Sequence, residues 1–134
     1  MGDRTVIASG GAPAAIGPYS QAVQAGGFVF VSGQIPLDPA TGALVAGGAA
    51  AQAERALQSL RAVLEAAGSG LDRVVKTTIY LTDLADFAAV NAAYAGYFPA
   101  APPARASVLV AALPRGAAIE IEAVALAGDV RRTS

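Results

Sequence analysis

Between Ala53 and Ala67 the apolar residues Ala53, Leu57, Leu60, Leu64 and Ala67 recur at helical spacing, and Gly68 follows where a left-handed residue ends a helix. Such a stripe is stable only when buried against another layer. The segments around it are short, rich in β-branched and aromatic residues, and separated by Gly and Pro. Thr5–Ser9 reads as a first strand, and Ser20–Ala25 and Phe28–Ser32 as a hairpin around Gly26-Gly27. Arg73–Leu81 reads as a further strand. Phe87, Val90, Asn91, Tyr94 and Phe98 mark a second helix, capped by Thr82 or Asp83, with Asp86 in its first turn and stopped by Pro99, Pro102 and Pro103. Arg105–Ala111 and Ile119–Leu126 are two terminal strands, and Arg131–Ser134 a frayed tail. Gly11–Pro18 and Ile35–Gly48 are loops, the second with a turn at Asp38-Pro39-Ala40-Thr41-Gly42. The order β-ββ-α-β-α-ββ predicts an α+β sandwich, one mixed sheet with both helices on one face.

At 134 residues the chain is expected to form a single domain, residues 1–134. It is 54% hydrophobic, but much of this is Ala and only 6% is aromatic. The second sheet face also reads as apolar, so part of that surface is expected to lie against other subunits. Net charge −1 gives no case for nucleic acid or an anionic membrane as partner. No apolar run suits a signal peptide or a membrane span, and the chain reads as cytoplasmic. It contains neither Cys nor His. Thiolate nucleophiles, disulfides, imidazole catalysis and the usual zinc and iron sites are thereby excluded. Chemistry is left to carboxylates, Arg, Lys, Tyr, Ser and the backbone, with no metal or cofactor expected.

Two apolar strands carry charges that are seldom buried unless paired or used. Alternation puts Arg105, Ser107, Leu109 and Ala111 on one face. The guanidinium fork suits a carboxylate ligand, or else a surface ion pair on an edge strand. Glu120 and Glu122 share a face opposite Ile119, Ile121 and Ala123. They either face water or, as a close pair, raise one pKa for acid–base work. A cation and a carboxylate on neighbouring strands, beside a Gly/Pro turn, can hold an anionic substrate and activate water. Elsewhere Ile16-Gly17-Pro18-Tyr19-Ser20 is a turn ending in a polar-tipped aromatic, expected to be partly buried. Gly33 after Ser32 permits close backbone approach, although chain reversal is the commoner use of glycine. Asn91, within an apolar stripe, needs a hydrogen-bond partner if buried and reads as bracing a neighbouring loop. No phosphate-binding glycine motif is present.

Together these elements resemble the Rid family, the reactive intermediate deaminases, also called the YjgF family. The resemblance is carried by Ile16-Gly-Pro-Tyr-Ser-Gln-Ala-Val23, Phe30-Val-Ser-Gly-Gln-Ile-Pro-Leu-Asp-Pro-Ala-Thr-Gly42, Val90-Asn-Ala-Ala-Tyr94, Pro103-Ala-Arg105, Leu113-Pro114 and Ile119-Glu-Ile121. It spans nearly the whole chain. It implies a chorismate-mutase-like fold and a homotrimer with clefts between subunits, which would cover the second sheet face. It further implies hydrolysis of 2-imino and 2-enamino acids, such as 2-aminoacrylate/2-iminopropanoate and 2-iminobutanoate, to 2-oxo acids and ammonia. On this resemblance Arg105 clamps the substrate carboxylate and Glu120 positions the attacking water. Tyr19, Ser32, Gly33, Asn91 and Ser107 line or brace the cleft, and Glu122 has no role. Ser107 stands where many members have Cys, a departure that is harmless if only its backbone carbonyl is used. The rival readings are an enamine deaminase specialised for pyrimidine or aminomuconate breakdown, a non-catalytic ligand-binding or holdase-like protein, and the endoribonuclease reading of some relatives, which the charge and the lack of His disfavour.

Overall fold

A computed structural model describes residues 3–128; the expected tail at Arg131–Ser134 lies outside them. Six strands and two α-helices follow in the predicted order: β1 (Thr5–Ile7), β2 (Ala22–Ala25), β3 (Phe28–Gln34), α1 (Ala49–Ala66), β4 (Val74–Leu81), α2 (Phe87–Tyr97), β5 (Ala104–Leu109) and β6 (Ile119–Leu126). They form one mixed sheet in the order β1-β2-β3-β6-β4-β5. Gly26 and Gly27, at φ 58° and 85°, make the two-residue turn that joins β2 to β3. β4 and β5 are parallel, because α2 carries the chain back across the sheet between them; the other pairs are antiparallel.

The Leu stripe of α1 is buried as its spacing requires, with Ala56 and Val63 widening it: Ala53, Ala56, Leu57, Leu60, Val63 and Leu64 are wholly inaccessible. They pack on Val29 and Val31 of β3 and on Ile119, Ile121, Ala123 and Ala125 of β6. α2 contributes Val90 and Tyr94, whose hydroxyl lies 2.7 Å from Thr77 Oγ1 on β4. Both helices therefore cover one face. Asp83 caps a 3-10 turn, Leu84–Asp86, that leads into α2, rather than α2 itself.

The open face is less apolar than its pattern implied. Phe28 and Phe30 are exposed there, but β4 and β6 present Thr78, Tyr80, Glu120 and Glu122 beside them. β5 is exposed along its whole length and ends at Leu109, short of Ala111. Among the described residues no helix is long and apolar enough to cross a membrane.

Candidate functional site

The predicted site residues fall into two groups, on opposite faces of the sheet. The cation and the carboxylate were expected on neighbouring strands, but β5 and β6 are not neighbours: β4 runs between them. Arg105 pairs in register with Thr77, so its side chain rises on the helix face. Glu120 pairs with Tyr80 and points to the open face. Two inter-strand spacings, roughly 10 Å, and the sheet itself separate the two groups. One small molecule cannot bridge them within one chain.

The first group is built on α2 and the β5 edge. Arg105 Nη1 donates to Asn91 Oδ1 at 2.7 Å. The guanidinium lies 4.9 Å from the Tyr94 ring centroid and 5.8 Å from that of Phe87, within cation–π range. Asn91 is exposed and accepts from this cation; among the described residues it makes no hydrogen bond to a loop. Among the described residues Asn91 is the only hydrogen-bond partner of the guanidinium, so most of the fork remains available. Asn91, Tyr94, Phe98, Pro102, Pro103 and Arg105 line a cleft of about 320 Å³. Ser107, the register partner of Ile79, lies exposed one step along the same strand face.

The second group surrounds a bulge. Val31 faces Ala123 and Gln34 faces Ile121, so β3 fits three steps against two on β6 and sets Ser32 and Gly33 apart. Bulges of this kind redirect side chains beside active sites. Ser32 Oγ donates to Ser20 O at 2.6 Å, tying β3 to the segment that carries Tyr19. Its proton is thus engaged, and it offers a ligand an acceptor oxygen. Gln21 holds the preceding loop: its Oε1 accepts from Ser9 N at 2.6 Å and its Nε2 donates to Pro13 O at 2.8 Å. Tyr19 is 54% exposed, not partly buried as expected. It borders both an open depression shared with Ser32 and a cavity of about 250 Å³ lined by Ile16, Gly33, Ile35, Leu37, Pro114 and Arg115.

Gly33 is glycine for close approach and not for chain reversal. A Cβ there would overlap Glu120 Oε2 and lie 2.7 Å from Cδ. The Glu120 carboxyl therefore lies across the bare backbone of Gly33. Burial raises its pKa above the ordinary carboxylate value, and the Glu122 charge raises it further. Gln52 on α1 accepts from Ala118 N at 2.8 Å and fixes the entry of β6, two residues before Glu120.

The Gly33→Ala variant is expected to fold normally, because the clash is with the end of a flexible side chain. It should cost ~10²-fold in turnover if the carboxylate is the working group, the usual effect of displacing one by about 1 Å. Near-normal turnover with an unchanged melting temperature would show that the Glu120 position does not matter.

Three residues outside the expected set contribute. Tyr94 supports Arg105, Gln21 anchors the Tyr19 loop, and Tyr80 Oη donates to Glu122 Oε2 at 3.1 Å. Tyr80 was legible in principle, since alternation places it on the β4 face opposite Ile79 and Leu81. Gln21 carried no local signal, because its partners are backbone groups of a loop.

Comparison with known proteins gives one consistent answer. The model of the family described as Endoribonuclease L-PSP matches residues 9–127. Protein DfrA of Myxococcus xanthus is 59% identical over 125 residues, covering 92% of this chain and 95% of the relative. The 2-iminobutanoate/2-iminopropanoate deaminase of Mus musculus is 53% identical over 125 residues, covering 93% of each. Among solved structures, E. coli TdcF with bound serine superposes with a TM-score of 0.87 at 42% identity, covering 91% of this chain and 98% of that one.

Proposed function

We propose, from the premise that this chain belongs to the Rid (YjgF) family, the one described by the endoribonuclease L-PSP model, that it is a 2-iminobutanoate/2-iminopropanoate-type deaminase. It hydrolyses reactive 2-imino and 2-enamino acids to 2-oxo acids and ammonia. The observation that carries this reading is the Arg105 guanidinium, seated on two aromatic rings, hydrogen-bonded to Asn91, and with its fork otherwise open. That is a receptor for a carboxylate.

The chemistry needs little more. An enamine first takes a proton at carbon to become the iminium, the protonated form of the imine. Arg105 holds the carboxylate and so fixes the imine carbon. Glu120, as carboxylate, orients a water and takes its proton as the oxygen adds to that carbon and the C=N π bond opens onto nitrogen. The protonated Glu120 then returns the proton to the nitrogen. The C–N bond breaks and ammonia departs as the Glu120 carboxylate takes the proton of the added hydroxyl, so that the carbonyl of the 2-oxo acid forms. The raised proton affinity of Glu120 suits both halves of this cycle. The backbone carbonyl of Ser107 helps to hold the water, which makes Ser an adequate residue there.

Within one chain Arg105 and Glu120 stand on opposite faces, so the working cleft is formed between subunits of a homotrimer acting in the cytoplasm. Arg105, Asn91 and Ser107 come from one subunit, and Tyr19, Ser32, Gly33 and Glu120 from the next. The exposed β5 edge and exposed Phe28 and Phe30 support this assembly. Light scattering at micromolar concentration should give three times the 13.2 kDa protomer mass; a fully active monomer would sink the shared cleft.

An endoribonuclease reading is weaker. The chain has no His, and its net charge of −1 provides none of the electrostatic attraction on which RNA binding depends. The deciding experiment follows ammonia and 2-oxo acid release from a panel of imines generated in situ, with an RNA substrate in parallel. Acceleration of imine hydrolysis supports the assignment. Ligand binding without release would leave a non-catalytic binding protein.

A further inference from the structure

Glu122 has no part in the scheme above, yet the structure fixes it firmly. It lies two residues along β6 from Glu120 on the same open face. Tyr80 Oη donates to its Oε2 at 3.1 Å. Tyr80 is also the β4 residue paired in register with Glu120. The three side chains thus form one cluster: a phenol beside one carboxylate, gripping the other.

We propose that Tyr80 and Glu122 are positioning residues, which hold a second negative charge against Glu120 and so keep it able to take up and give back a proton. This rests on the reading of Glu120 as the acid–base group. An unanchored carboxylate two residues along a strand would swing into water, where its charge is screened. The Tyr80 hydrogen bond removes that freedom and keeps the charge on the sheet.

The other groups around Glu120 do not supply this effect. β3 presents Ser32 and Gly33, neither of which titrates. On β4, Thr78 does not titrate, and Lys76 lines the depression beyond Glu122. Tyr19 and Arg115 border the cavity on the far side of Gly33. Burial is the larger influence on Glu120, and within the chain the neighbouring charge acting on it is Glu122; in the shared cleft proposed above the partner subunit's Arg105 acts in the opposite sense, and it is unchanged in the variants tested below. Tyr80 is itself held neutral: burial raises its pKa, and the Glu122 hydrogen bond and the charges of Glu122 and Glu120 add to this. A hydrogen bond with Thr78 works in the other direction but does not outweigh them, so the phenol stays a donor to Glu122.

The test is the pH dependence of kcat/KM in Glu122→Gln, Tyr80→Phe and the double variant, with Glu120→Gln alongside. Glu122→Gln keeps the shape and an acceptor for Tyr80 but removes the charge. The acid limb, which reports Glu120 losing its proton, should move to lower pH. It should not move all the way, because burial remains. Tyr80→Phe should displace the same limb, and that displacement should vanish in the Glu122→Gln background. A 13C titration of the Glu120 side chain reads the same shift without turnover. An unmoved limb in Glu122→Gln, with Glu120→Gln inactive, overturns the proposal alone. A Tyr80→Phe displacement that persists without the Glu122 charge also overturns it. Near-wild-type turnover by Glu120→Gln instead overturns the acid–base reading beneath it.

Discussion

Arg105→Ala should nearly abolish imine hydrolysis while leaving the protein folded. The side chain is exposed on an edge strand and contributes nothing to the core, so the melting temperature should hardly move. On the proposed clamp, what is lost is a charge-assisted, bidentate contact to the substrate carboxylate. Truncating one partner of such a pair costs roughly 2–5 kcal/mol, or about 30-fold to several thousand-fold in kcat/KM. Arg105→Lys should be nearly as poor. A point charge cannot reproduce the fork, and it stacks less well on Tyr94 and Phe87. Steady-state kinetics on 2-iminopropanoate generated in situ reads both variants. Turnover near wild type in a folded Arg105→Ala protein would remove the carboxylate clamp.

Glu120→Gln should lower turnover by ~10²–10⁴-fold, the range for a positioned acid–base group. The amide fits the same space across Gly33 and still accepts a hydrogen bond, but it cannot take the proton from water. Binding of a 2-oxo acid should persist, because Arg105 is untouched. Calorimetry therefore separates this variant from Arg105→Ala, in which binding is lost. Ser107→Ala is the informative comparison. If only the backbone of residue 107 is used it should keep most of its activity, whereas a variant as impaired as Glu120→Gln would make the hydroxyl a participant.

The sequence made the elements legible because their periods were clean. The Leu57, Leu60 and Leu64 stripe, the Gly26-Gly27 turn and the Ile119–Ala123 alternation each report local geometry, and each element lies within a few residues of its expected limits. The sheet order was not legible, because it depends on which strand the α2 crossover returns beside. That single topological choice put β4 between Arg105 and Glu120, and the registers of Arg105 with Thr77 and of Glu120 with Tyr80 sent them to opposite faces. The partners of Asn91 and Gly33 were equally hidden. Asn91 meets Arg105 fourteen residues on, and Gly33 meets Glu120 only through a bulge in the β3–β6 ladder. Both contacts are tertiary, and a one-residue change of register would have undone either. The resemblance pointed to these residues; the fold adds that a side chain at 33 would meet the Glu120 carboxyl.

The separation of Arg105 from Glu120 across the sheet has a genetic consequence. With the cleft shared between subunits as proposed, a chain crippled at Arg105 still owns a sound Glu120, and a chain crippled at Glu120 still owns a sound Arg105. Neither homotrimer has a complete cleft. A mixed trimer, however, brings an intact half from each parent together in one of its three clefts, whichever chain is present twice. Two inactive alleles should therefore complement when expressed together, and a single defective allele beside a normal one should poison clefts it does not itself encode.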